Sequence, residues 1–297
     1  MLGLWLPYPF DLDFMQHALV ACIAVGVFAP TIGTFLVQKR MSLIGDGIGH
    51  IAFAGVGAGV VSGIYPLWTA LAFAIVGAIG VEWLRSRRRV SGDLALALFF
   101  YSGIALGVVL VSLGGGLNAS VLTYLFGQPL TVSPQEVVLI VSLGAAIVVA
   151  MLVLRRVLFA VVTDEDWSNV AGLPVGLVNN VLAVITAVAV VAAMQIVGIL
   201  LIAAMMVLPV ASGQLLARSF AGTMRWAVAI GVASVVAGLA ASRIWDLAPG
   251  GTIVLLAAGV FMVVALVTRR VGGRVPMIEP YAPEEPSAAS HEGAHTG

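Results

Sequence analysis

The chain has 297 residues, 61% of them hydrophobic and only 9% charged, against about 45–50% and 25% in ordinary soluble domains. That balance excludes a soluble globule, a disordered chain, a collagen-like repeat and a disulfide scaffold, and the formal net charge of zero offers no basic surface for nucleic acid. The reading is an all-α polytopic membrane bundle of eight or nine spans, embedded in a lipid bilayer.

Charged residues are clustered, leaving 94–113, 137–154, 167–217, 226–242 and 247–268 without any. Each window suffices to cross a bilayer, which takes about 20 mostly apolar residues. Taken in chain order, residues 1–16 form an extracytoplasmic N-terminus with no basic residue, so the first apolar run is a spanning helix rather than a secretory leader. The spans then fall at 17–37, 46–63, 67–84, 94–113, 135–154, 179–197, 198–217, 226–243 and 250–268. The Gly-rich run 46–63 and the division near Gly198 are the two places where a broken or re-entrant helix is expected.

Nine spans put the termini on opposite sides. With the N-terminus outside, Lys39, Arg40, Arg85, Arg87, Arg88, Arg89, Arg155, Arg156, Arg218, Arg225, Arg269, Arg270 and Arg274 fall inside and only Arg243 outside, as the positive-inside rule demands. The longer connections are Gly114 to Pro134 outside and Arg155 to Asn180 inside. The permease domain would cover 17–270. Residues 271–297 would form a disordered cytoplasmic tail, where His291 and His295 read as inert rather than as a metal site. The only cysteine, Cys22, lies in an apolar run, so neither an intramolecular disulfide nor a Cys-based metal cluster is available.

Ionisable residues placed within the bilayer are few. His17 lies at the outer rim, and Glu82 pairs most simply with the arginines that begin three residues on. Asp46 and His50 differ, because an i,i+4 spacing sets both on one helical face. Charge in the membrane costs about 2.5–3.5 kcal/mol on insertion scales, so such a pair is functional by default. Three readings stay open from spacing alone: two ligands aimed at one divalent ion, a buried Asp–His hydrogen bond holding helices together, or a proton relay. Gly55, Gly59 and Gly63 recur on the opposite face, a pattern that admits a neighbouring helix. Met205 and Met206 are adjacent, point to different sides and read as packing.

No GxxxxGK[ST] loop occurs in the sequence, so ATP-driven work of that kind needs a partner subunit. No nucleophile elbow, His-Glu-x-x-His or Cys-x-x-Cys occurs either, which leaves transport as the class and no enzyme activity in this chain.

The stretch Arg40-Met41-Ser42-Leu43-Ile44-Gly45-Asp46-Gly47-Ile48-Gly49-His50 resembles the RMS-x-x-GD-x-x-x-H signature of zinc and manganese ABC importer permeases. Three further stretches resemble that family in the same order: Tyr124 to Gly127, Val197 to Ile202 continuing through Leu208 to Ala211, and Trp245 to Gly250. A looser likeness runs from Thr163 to Leu173. The resemblance implies a homodimer of permeases in a prokaryotic plasma membrane, two copies of a cytoplasmic ATPase and an extracytoplasmic metal-binding protein. It implies no permanently bound cofactor, only a transported zinc or manganese ion, with iron also compatible with a carboxylate and an imidazole. Asp46 and His50 carry over as pathway ligands, and Asp246 as a weaker entrance residue whose plain alternative is a turn aspartate. Asp164, Glu165, Asp166, Gly172 and Leu173 carry over as the ATPase-coupling loop. The competing reading is a proton-coupled secondary transporter or channel that works without an ATPase. A purely structural scaffold is the third.

Overall fold

The computed structural model describes residues 10–86, 92–116 and 119–271. Residues 1–9, Arg87 to Arg89 and the tail from 272 onward, with Arg274, His291 and His295, lie outside the described residues. Among those described, the chain is helical throughout: α1 (Asp13–Gln38), α2 (Ile44–Ser62), α3 (Pro66–Ser86), α4 (Gly92–Leu113), α5 (Ala119–Phe126), α6 (Pro134–Thr163), α7 (Glu165–Val170), α8 (Val175–Met194), α9 (Ile199–Leu216), α10 (Phe220–Trp245) and α11 (Pro249–Val271), with a 3-10 turn at Pro129–Thr131. Eight of them, α1 to α4, α6, α8, α10 and α11, are long and apolar enough to cross a membrane.

Each of the nine expected spans corresponds to one helix, and the differences have local causes. Span 46–63 is one unbroken helix from Ile44 to Ser62, closed by Gly63 in the left-handed region (φ 69°). Gly63 is therefore a C-cap and has nothing within 4 Å of its would-be Cβ, so it plays no part in helix packing. The fifth span begins at a capping box, in which the Ser133 hydroxyl accepts from the Glu136 amide and the Glu136 carboxylate accepts from the Ser133 amide. It continues to Thr163, so that Arg155 and Arg156 lie inside α6 rather than in a loop. The connection between α4 and α6 is itself structured, holding α5 and the 3-10 turn.

α2 sits between α3 and α4, and small residues make that possible. A Cβ on Gly55 would stand 2.6 Å from the Ala70 Cα, and one on Gly59 2.7 Å from the Pro66 Cα, so α3 presses on this face. On the α4 side, Cβ atoms on Gly103 and Gly107 would meet the Ile51 amide nitrogen at 3.0 Å and the Phe53 ring at 2.5 Å. Met205 and Met206 are both buried, and the Met206 sulfur lies against Gly45. Buried hydroxyls of Thr31, Thr34 and Thr186 donate to carbonyls four residues back, which satisfies them without water. The outer faces of α4, α6 and α11 expose Leu98, Val109, Val153, Leu255 and Val263, as lipid contact requires.

The helices alternate in direction. Met15 and Ala18 near the start of α1 pack on Leu239 near the end of α10, while Gly33 near the end of α1 abuts Met206 of α9. Among the described residues, Lys39, Arg40, Arg85, Arg155, Arg156, Arg218, Arg225 and Arg269 thereby gather towards one end of the bundle and Arg243 lies at the other.

The division near Gly198 is a true break, and it is buried. Ala193, Met194, Ile196, Val197 and Ile199 are all closed off from solvent. α5 and its following residue descend onto this break. A Cβ on Gly127 would fall against the Ile196 carbonyl and 2.6 Å from the Gly198 nitrogen, and one on Gly198 would fall 2.5 Å from the Leu125 carbonyl oxygen. Both glycines have positive φ, 73° and 86°, so close approach and backbone conformation each demand glycine. The Gln128 amide donates to the Gln195 carbonyl (3.1 Å), tying the crossing together.

Candidate metal pathway

α1 ends in a Schellman closure: the Arg40 amide donates to Val37 and the Met41 amide to Leu36. Arg40 occupies the left-handed position (φ 59°) that glycine usually takes. Four residues later α2 begins, with Asp46 in its first turn. His50 follows one turn on, its Nε2 3.7 Å from the Asp46 Oδ1. That separation exceeds a hydrogen bond, so the two groups lie on one helical face without closing on each other. The His50 ring meets Phe100 of α4 edge to face (4.7 Å, 78°), and Phe100 meets Tyr101 in the same manner (5.2 Å).

Asp46 opens into a cavity of about 300 Å³ between α2 and α4, lined by Leu43, Asp93, Leu96, Phe100 and Tyr101. Asp46 is 30% and His50 13% exposed, so the aspartate faces the space and the imidazole is recessed against the aromatic wall. Asp93, exposed in the first turn of α4, adds a second carboxylate to this cavity. Sequence reasoning missed Asp93 and Phe100, because only the packing of α4 on α2 brings them there. The charge at Asp93 was visible as the boundary of an uncharged window. Among the described residues no set of three His, Cys, Asp or Glu side chains is placed to hold a metal.

Asp246 lies elsewhere. It is the exposed C-cap of α10 (φ 54°), its amide donating to Ser242, and the Ser242 hydroxyl donates to the Leu247 carbonyl at 2.9 Å. This is the geometry of a turn aspartate, and it stands at the opposite end of the bundle from Asp46.

The loop after α6 is compact. The Asp164 carboxylate caps α7 by accepting from the Trp167 amide (2.8 Å). Gly172 (φ 78°) closes α7, with the Leu173 amide donating to Ser168. Asp166 lies in the first turn. Trp167 and Val170 are exposed to 69% and 82% on this short helix. Glu165 turns the other way. Its Oε1 accepts from Arg85 Nη2 of α3 (2.9 Å) and Asn179 Nδ2 of α8 (3.2 Å), and lies 3.1 Å from Lys39 Nζ at the end of α1. Arg85 is also held by Glu82, at 3.0 and 2.8 Å, which is the pairing expected for Glu82. Burial pushes the Glu165 carboxyl up, but the Arg85 hydrogen bond and the Lys39 charge outweigh it and hold the group below the usual glutamate range. Lys39 is lowered, chiefly by burial.

The described helices thus form a multi-span bundle in which Asp46 lines a cavity between α2 and α4 and His50 stands one turn behind it. Residues 11–268 match the ABC 3 transport family, and the chain belongs to that family. It is 32% identical over 251 residues to an uncharacterized membrane protein of Synechocystis, covering 84% of this chain and 89% of that one. It is 30% identical over 249 residues to the manganese transport system membrane protein MntC of Halalkalibacterium halodurans, covering 84% and 85%. Among solved structures it resembles PsaBC from Streptococcus pneumoniae in complex with Fab, with a TM-score of 0.76 and 30% identity over 86% of this chain and 91% of that one. The chain is thus a membrane permease subunit of an ABC metal transporter, with ATP hydrolysis assigned to a separate subunit. Nothing in these likenesses favours the proton-coupled alternative.

Proposed function

We propose that the chain imports manganese or zinc into the cytoplasm of a prokaryote, as one of two permease copies working with two cytoplasmic ATPases and an extracytoplasmic metal-binding protein. The observation that carries this reading is Asp46 lining a cavity between α2 and α4, with His50 one helical turn behind it on the same face. A carboxylate and an imidazole suit manganese, zinc or ferrous iron, and relatives named for manganese transport make manganese the first ion to test. Two ligands per copy fit a site completed across a dimer, with water or a second Asp46 and His50 pair filling the sphere.

The gathering of basic residues at one end supports that end as cytoplasmic, which puts the N-terminus outside and the C-terminus inside. The ion would be delivered at the end that carries α5 and the turn at Asp246. It would be captured by ionised Asp46 and neutral His50, then released past Asp93 when ATP-driven movement reopens the path. Trp167 and Val170, on a helix framed by Asp164, Gly172 and Leu173, supply the apolar surface for the ATPase.

The test is ion uptake into proteoliposomes holding the permease, its ATPase and its delivery protein. Uptake by the Asp46→Ala, His50→Ala double variant should fall by more than the roughly 10–100-fold that losing an outer-shell partner costs a metal site. Wild-type uptake in that variant would sink the proposal.

A further inference from the structure

Three donors from three different helices converge on one atom, the Glu165 Oε1: Arg85 from α3, Lys39 from the end of α1 and Asn179 from α8. Lys39 also donates to Asn179 Oδ1, and its side chain is only 4% exposed. The cluster balances two cations, Lys39 and Arg85, with two carboxylates, Glu82 and Glu165.

Of the helices held by this oxygen, α3 and α8 pack on α2 and α1 runs directly into it, while α4 packs on α2 from another side. α1 runs into α2 through the Schellman turn at Arg40, a connection of five residues fixed by backbone hydrogen bonds. α3 lies against α2 at Gly55 and Gly59, where backbone nearly touches backbone. α7 contributes the glutamate while presenting Trp167 and Val170 outward. Moving α7 away from the bundle by a few ångströms would break all three interactions at once and leave Lys39 buried without its nearest carboxylate. Such an unpaired charge is costly. α1 must therefore follow α7 or leave Lys39 without that carboxylate, and α3 would lose one of the two carboxylates that hold Arg85.

Resting on the importer reading above, we propose that Glu165 and Lys39 are positioning residues that transmit the movement of α7 to α2 and so to Asp46 and His50. They touch neither the ion nor the nucleotide. Their role is to make displacement of the docking helix inseparable from displacement of the ligand helix.

The test uses the complete transporter in proteoliposomes, with manganese as the probe, and measures ATP hydrolysed and manganese moved in the same sample. In Lys39→Met, whose altered side chain is buried away from the ATPase, hydrolysis should persist while manganese moved per ATP falls about 10-fold, within the ordinary range of coupling between sites. Lys39→Arg, which keeps the charge, should restore most of the ratio, and Glu165→Gln should lower it as Lys39→Met does. A wild-type ratio in both Lys39→Met and Glu165→Gln, even with lowered melting temperatures, would reduce the cluster to a structural staple and overturn the proposal. Failure of the importer reading itself looks different: the wild-type complex would show no ATP-dependent manganese uptake at all.

Discussion

Arg40 shows how a single residue sets the geometry of the site. It holds a left-handed conformation (φ 59°) in the turn that aims α2, and a β-branched residue there pays more for that conformation than an unbranched one. Arg40→Val should lower stability by about 1 kcal/mol, read as a drop in thermal unfolding temperature in detergent. Glu165 makes a second residue-scale prediction. Its carboxyl is held below the ordinary glutamate value of about 4.3 by Arg85 and Lys39 against the opposing effect of burial. Its stabilising contribution is therefore complete above that value and is lost as pH falls through the depressed one. The stability gap between wild type and Glu165→Gln should be constant near neutral pH and close on acidification below about pH 4, as followed by melting temperature across a pH series.

At the scale of elements, uncharged windows and turn residues were enough to place nine helices, because a bilayer makes length and apolarity decisive. Their ends were less legible. Arg155 and Arg156 read as a loop by charge, yet α6 carries them because arginines near the end of a long helix can reach the interface. The i,i+4 pair of Asp46 and His50 was visible as spacing. Phe100 and Asp93 were not, since their approach depends on Gly103 and Gly107 letting α4 close on α2. The converging donors on Glu165 come from positions 39, 85 and 179, separations that no local pattern encodes. Gly198 was legible as a division between helices and Gly127 only as the end of a stretch resembling the family, but neither was legible as the other's partner. Because each one's Cβ would strike the other's strand of backbone, Gly198→Ala should cost at least about 2 kcal/mol through overpacking and strain, and Gly127→Ala should cost as much in the same unfolding assay.

For the whole molecule, neutral overall charge conceals strong polarity along the membrane normal. The proposed sidedness can be measured. Cys22 is fully buried, so the wild type should resist a membrane-impermeant maleimide and serve as its own background. Trp167→Cys should react only from the cytoplasmic face and Trp245→Cys, also exposed, only from outside; the reverse pattern would invert the topology.

The interrupted passage from α8 to α9 leaves the first-turn amides of α9 without carbonyl partners inside their own helix, in the most enclosed part of the protein. Those amides are natural gauges of wetness. In a deuterium-exchange experiment they would stay protonated while the core is dry and exchange early whenever a water column reaches them. The exchange rate at a handful of peptide groups would then report how often water reaches the break between α8 and α9.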